Sequence, residues 1–116
     1  MFDHVGLRVK DVAASGRFYK ALLAPLGHVP DESGTGFGPP GAPGLWLYEA
    51  GKAPTGCHLA FRAPNRAAVD KFHAAALAHG GRDNGAPGLR SDYSPSYYAA
   101  FIVDADGNNV EAVYLS

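Results

Sequence analysis

Three residues far apart in the chain, His4, His58 and Glu111, are the ones whose types and placement could do chemistry together. Glu111 stands inside an apolar, strand-like run, NNVEAVYL, near the end of the sequence. A lone buried carboxylate is costly unless something cationic meets it. His4 and His58 stand at equivalent positions of an internal repeat. Two imidazoles and one carboxylate suit a divalent transition metal such as Fe, Mn, Ni, Co or Zn, and such an ion offsets the buried charge. Plainer readings compete with this one. Arg8 or Arg62 could neutralise Glu111 through an ion pair. A single histidine on a strand is more often a hydrogen-bonded structural residue than a ligand.

The elements that must position these groups follow from the repeat. Shifting the sequence by 54 positions aligns DHVGLRVKDVAASGRFYKALLAPLG with CHLAFRAPNRAAVDKFHAAALAHGG. His4 meets His58, Arg8 meets Arg62 and Phe18 meets Phe72, while Asp11 meets Asn65, both good helix N-caps. Residues 2–9 and 57–63 alternate as strands. Asp11 opens a helix to about Ala24, closed by Pro25-Leu26-Gly27, and Asn65 opens another to about His79, closed by Gly80-Gly81. GHVPDES, TGFGP and GLWLYEA supply strands after the first helix. A weak strand near Arg82, then SYYAAFIVD and NNVEAVYL, follow the second. Asp106-Gly107 marks a tight turn between the last two. The Gly/Pro-rich stretch 84–96 reads as a loop whose Tyr93 and Tyr97 could cover a pocket.

Each half is therefore βαβββ, at about 1–51 and 56–116 of a single domain. The fold class is α+β: a curved, mostly antiparallel eight-stranded sheet around a cleft, with the helices outside. Strand alternation puts His4, Gly6 and Arg8 on one face, His58, Ala60 and Arg62 on the matching face, and Asn109, Glu111 and Val113 together on the last strand. Gly44, Trp46 and Tyr48 are the counterparts in the first half. If pseudo-symmetry wraps these strands around one concavity, His4, His58 and Glu111 converge, with Arg8 placed for an anionic substrate group. Trp46, Tyr48 and Tyr97 either line an aromatic pocket or belong to the core. His73 and His79 are expected in solvent, His28 is expected to be exposed, and Cys57 is expected to be inert.

Bulk properties exclude several classes. A chain of 116 residues suits one domain. Net charge is −1 and the basic residues are dispersed, so no nucleic-acid stripe is present. One cysteine excludes an internal disulfide and a multi-cysteine zinc site. The start, MFDHVGLRVKD, is charged by its third residue and does not read as a signal peptide. No apolar run approaches the ~20 residues of a membrane span. A cytoplasmic protein acting on a small molecule is the expectation.

The segments FDHVGLRVKDVAASGRFY, CHLAF and DADGNNVEAV, in this order and spacing, resemble the vicinal oxygen chelate superfamily, which includes glyoxalase I, extradiol dioxygenases and bleomycin-resistance proteins. The resemblance covers essentially the whole chain and implies paired βαβββ modules. It implies metal ligation by His4, His58 and Glu111, with positions left open for a bidentate substrate. A fourth ligand of some glyoxalase-like members falls near Trp46, which cannot bind metal. An acid–base tyrosine of the dioxygenases falls at Phe101, which leaves Phe101 as a pocket residue. Glu111 would serve as a catalytic base only by leaving the metal. The implied function is a small metal-dependent lyase, isomerase or dioxygenase. The alternative is a non-catalytic drug-binding protein using the same cleft without metal. Family members commonly form homodimers, some with each site drawing on both chains.

Overall fold

A computed structural model describes residues 1–51 and 56–116. The segment between the two expected modules, 52–55, lies outside the described residues. Each half has the expected element order. The first comprises β1 (Val5–Val9), α1 (Val12–Leu23), β2 (Val29–Pro30), β3 (Gly36–Gly38) and β4 (Leu45–Glu49). The second comprises β5 (His58–Arg62), α2 (Arg66–Ala78), β6 (Arg82–Leu89), β7 (Tyr97–Val103) and β8 (Asn109–Leu115). Among the described residues, no helix is long and apolar enough to cross a membrane.

Both helices begin where side-chain caps can satisfy backbone N–H groups that the helix leaves free. The Asp11 carboxylate accepts from Ala14 N at 3.0 Å, and Asn65 Oδ1 accepts from Ala68 N at 2.8 Å. α1 ends in a short 3-10 turn, Ala24–Leu26, with Gly27 in the left-handed conformation at φ 89°.

The eight strands are hydrogen-bonded as two four-stranded sheets, in the orders β1-β4-β3-β2 and β5-β8-β7-β6. In each, the strand preceding the helix pairs in parallel with the last strand of the module, and the other pairings are antiparallel. The parallel pair requires a long crossover, which the helix provides. Leu7 and Val9 of β1, Leu22 and Leu23 of α1, Val69 and Phe72 of α2, and Ile102 and Val110 of the second sheet are buried in one shared core. Phe72 is fully enclosed, and burying a side chain of this size contributes roughly 3 kcal/mol. The opposite sheet faces carry the polar and aromatic candidates.

Three local expectations are corrected. β1 starts at Val5 rather than at residue 2, so His4 stands just before the strand. Residues 84–89 belong to β6, not to a loop. Its glycines and Pro87 are tolerated because β6 is an edge strand, and its pairing with β7 shifts register between Asp83 and Gly85 and again between Gly85 and Gly88. His73 is buried rather than solvated, because Asp83 on β6 accepts from its Nε2 at 2.8 Å.

The turn between β7 and β8 is organised by one carboxylate. Asp104 Oδ1 accepts from the backbone N–H of Asp106 and Asn108. Asp104 Oδ2 accepts from Asn108 Nδ2 at 2.9 Å and from the Tyr19 hydroxyl of α1 at 2.6 Å. Gly107 completes the turn at φ 83°, a region that side-chain-bearing residues rarely adopt. Asn108 Oδ1 then accepts from Cys57 N at 2.9 Å, and Asn109 N donates to Cys57 O at 2.8 Å. This stitches the start of β5 to the start of β8 and fixes the register in which Ala60 lies opposite Glu111.

Candidate metal and substrate site

Glu111 is 2 % exposed although it lies on the face away from the helices. Its two oxygens have different partners. Oε1 lies 3.0 Å from His58 Nε2, and Oε2 accepts a hydrogen bond from the Tyr97 hydroxyl. Neither Arg8 nor Arg62 forms an ion pair among the described residues, so the arginine alternative for Glu111 is set aside. His58 is half exposed and reaches Glu111 from the neighbouring parallel strand. Its other nitrogen, Nδ1, donates to the Asn109 carbonyl at 3.1 Å. That bond places a proton on Nδ1. Nε2 then faces a carboxylate oxygen, and only something positive between them, a proton or a metal ion, makes the contact attractive.

Phe101 lies opposite Glu111 in the β7–β8 ladder and stacks on the His58 ring, with centroids 6.3 Å apart and planes 21° apart. Tyr97, Ala99 and Phe101 alternate along β7 and share one face of it. Burial first, then the hydrogen bond to Glu111 and that carboxylate's charge, push the Tyr97 phenol up to about 12. It therefore stays a proton donor through neutral pH. Tyr93 packs edge-on against Tyr97, with centroids 5.0 Å apart. The Arg90 guanidinium lies 5.3 Å from the Phe101 ring centroid and donates to the Ala86 and Gly88 carbonyls, which holds a cation beside the site. Asn84 Nδ2 donates to Asn109 Oδ1 at 3.3 Å.

His4 is not part of this group. It is 55 % exposed, and its Nδ1 lies 2.7 Å from Asp3 Oδ1. The expected convergence of His4 on His58 and Glu111 does not occur within the chain, and no group of three or more His, Cys, Asp or Glu placed to hold a metal occurs among the described residues. The physical reason is the break between the two sheets. Each module buries one sheet face against the helices in the shared core and leaves its other face open, and the chain itself does not bring the two open faces together. The open face of the first sheet carries Arg8, Trp46 and Tyr48, as the alternation indicated. Gly6 and Gly36 make room for the rings there: a Cβ on Gly6 would stand 2.8 Å from Tyr48, and one on Gly36 would stand 2.5 Å from Trp46. Tyr48 is exposed and Trp46 is half-buried.

Tyr97 is expected from the sequence as a pocket residue and not as the partner of Glu111, and the resemblance places the dioxygenase tyrosine at Phe101 instead. The available signal was parity, since 97, 99 and 101 share one strand face. Sequence reasoning also passed over the Asn109 carbonyl and the Arg90 cation, for which backbone and loop geometry leave no residue-type signal. Cys57 is exposed, and partial burial raises its thiol pKa, which suits an unreactive residue.

The family model of the Glyoxalase/Bleomycin resistance protein/Dioxygenase superfamily matches residues 1–112. Among solved structures, a glyoxalase/bleomycin resistance protein from Albidiferax ferrireducens is 32 % identical, with a TM-score of 0.81 over 100 % of this chain and 99 % of that one. A family enzyme from Burkholderia phytofirmans shares the fold at 18 % identity and a TM-score of 0.74, covering 98 % of each chain. Lactoylglutathione lyase from Agrobacterium tumefaciens shares it at 22 % identity and a TM-score of 0.65, covering 98 % of this chain and 92 % of that one. Comparison with curated proteins gives no match. With its paired βαβββ modules and a family match over nearly its whole length, the chain belongs to the glyoxalase/bleomycin resistance protein/dioxygenase superfamily.

Proposed function

We propose that this protein is a metal-dependent enzyme of the lyase/isomerase or dioxygenase type, acting on a small oxygen-rich substrate as a homodimer. His58 and Glu111 hold a divalent transition metal (Fe, Mn, Ni, Co or Zn), and His4 of a second copy supplies the third ligand. One observation carries the reading: His58 Nε2 and Glu111 Oε1 stand 3.0 Å apart, with His58 Nδ1 tied to a backbone carbonyl. That is the arrangement of an oriented imidazole ligand beside a carboxylate ligand. The donor types fit such an ion. The split of the ligands between two open sheet faces is what calls for a second copy.

When bound, the ion supplies Lewis-acid polarisation of adjacent substrate oxygens. The chain's own residues do the rest. Tyr97 keeps its proton and holds Glu111 Oε2, which turns Oε1 toward His58. Phe101 fixes the plane of the imidazole. Arg90 offers positive charge to an anionic substrate group, a role the sequence suggested for Arg8. Trp46 and Tyr48 give the facing sheet an aromatic wall for the apolar part of the substrate.

A second reading has one observation in its favour. Glu111 already has two partners, His58 and Tyr97, so the same cleft is electrostatically satisfied without metal and suits a non-catalytic drug-binding protein. Elemental analysis separates the two. Protein purified without chelator or affinity tag, then incubated with each candidate ion and desalted, is expected to retain about one ion per chain, with the ion lost in His58→Ala. Wild-type protein that retains no ion from any of the five leaves the binding-protein reading.

A further inference from the structure

Asn84 and Gly85 stand at the first bulge of β6, on the edge of the second sheet. The β6–β7 ladder passes from Asp83 opposite Ile102 to Gly85 opposite Phe101, so among the described residues Asn84 has no ladder partner. Its side chain is exposed, and its one hydrogen bond among the described residues is the long 3.3 Å bond from Nδ2 to Asn109 Oδ1. Glycine is required next to it. Gly85 has φ 155°, and a Cβ there would stand 2.9 Å from the Phe101 ring and 3.1 Å from the Arg90 guanidinium. The ring that stacks on His58 therefore dictates glycine after Asn84.

An asparagine followed by glycine carries its own reaction partner. The backbone nitrogen of the glycine is tethered close to the side-chain amide carbon, and no Cβ crowds the approach. The obstacle is the proton on that nitrogen, since an amide N–H is a poor nucleophile until the proton leaves. Here the Gly85 N–H donates to Asp83 Oδ1 at 3.0 Å, so a carboxylate already stands at that proton. His73 Nε2 donates to the same oxygen at 2.8 Å and fixes it in place. The Arg90 guanidinium beside Gly85 adds positive charge, which favours the anionic nitrogen and the oxyanion that follows. The other asparagines lack this setting. Asn65, Asn108 and Asn109 precede Arg66, Asn109 and Val110, whose side chains hinder attack. Asn65 and Asn108 are also held, by the α2 cap and by the β7–β8 turn.

We propose that Asn84 is a site of self-modification by deamidation. Asp83 takes the proton of Gly85 N, the nitrogen closes on Asn84 Cγ, and the Cγ–Nδ2 bond breaks as the proton passes to the leaving nitrogen and ammonia departs. Water then opens the succinimide at either carbonyl and leaves aspartate or isoaspartate, with no change of oxidation state. The product places a carboxylate against Asn109, which shares a strand face with Glu111. In the isoaspartate form an extra methylene also enters the backbone at the bulge and displaces Gly85 against Phe101. Neither step involves metal, so the reaction is read independently of what binds at His58.

Full-length protein is incubated in mildly alkaline buffer beside a synthetic peptide of residues 81–88, and conversion at each asparagine is followed by peptide mapping with mass spectrometry. Asn84 should convert first, to mixed aspartate and isoaspartate, at a rate within roughly tenfold of the peptide's, because the bulged edge has no need to unfold first. Asn84→Gln should stop conversion at this position. Asp83→Asn keeps an acceptor for the Gly85 N–H but removes the base, and should slow conversion roughly threefold or more. A folded protein slower than the peptide by more than that tenfold overturns the proposal, as does conversion of Asn65, Asn108 or Asn109 ahead of Asn84. An Asp83→Asn protein that converts as fast as the wild type overturns the role of Asp83 as base. Should Asp83→Asn not fold, the comparison of wild type with peptide decides by itself.

Discussion

Removing the Tyr19 hydroxyl should destabilise the protein by about 2 kcal/mol, which is large for one oxygen atom. Tyr19 is fully buried, and its hydroxyl donates to Asp104 Oδ2 at 2.6 Å. Asp104 is itself buried and accepts four hydrogen bonds, from Asp106 N, Asn108 N, Asn108 Nδ2 and Tyr19. A carboxylate has about four acceptor positions, so the set is full. Tyr19→Phe empties one of them with no route for water, and a hydrogen bond to a charged acceptor is worth about 1.5–3 kcal/mol. For a chain of this length, each kcal/mol moves Tm by roughly 4 °C, so a fall of ~8 °C is expected. Burial and the Asp104 charge also raise the Tyr19 pKa, so the phenol stays protonated over the whole working range. Urea unfolding followed by circular dichroism, at fixed protomer concentration, measures the loss. Exposed Tyr48→Phe is the control and should change stability by under ~0.5 kcal/mol. A Tyr19→Phe loss as small as the control's would refute the view that Asp104 is a saturated hub. The hub matters for the site because the Asn108–Cys57 bond sets the register that brings His58 to Glu111.

Three further outcomes are expected. The His73 hydrogen bond, then the Gly85 N–H, hold the Asp83 pKa below its ordinary 3.8, so its contribution to stability is present above that pH and is lost as pH falls through the lower folded value; urea midpoints between neutral and strongly acidic pH should show an acid limb that Asp83→Asn reduces. Tyr97 should ionise near 12, so an ultraviolet difference titration of wild type against Tyr97→Phe should show a transition there and not near 10. Gly107→Ala has free space for its methyl but must hold φ at 83°, and should lose about 1 kcal/mol in thermal unfolding.

What the sequence disclosed was what depends on short range. Asp11 and Asn65 cap their helices because capping needs only neighbours three residues away, and both sites carried the right residue type. Strand parity put Glu111 with Asn109 and Val113 on one face of the last strand and His58 on the matching face of its own strand, because alternation along a strand survives any tertiary arrangement. The partner of Glu111 was harder. Arg62 and His58 share a face, and which of them reaches the carboxylate depends on register, with Ala60 rather than His58 directly opposite Glu111. Residues 84–89 of β6 look like a loop because Gly85, Pro87 and Gly88 break an interior strand, whereas a bulged edge strand accepts them. His28 and His73 looked solvated because their cover comes from Phe61 and Asp83, residues more distant in sequence than any periodicity reaches. The position of His4 relative to Glu111 is a property of module packing, and no local pattern encodes it.

The central claim is that the site is shared between copies, and mixing two variants tests it most directly. His4→Ala and His58→Ala should each fail to retain metal alone. After unfolding together and refolding, half of the dimers are mixed, and each mixed dimer has one site with both histidines intact. The mixture should therefore retain roughly one ion per four chains. A mixture as empty as its two components would contradict the shared site, as would a His4→Ala protein that retains metal as well as the wild type.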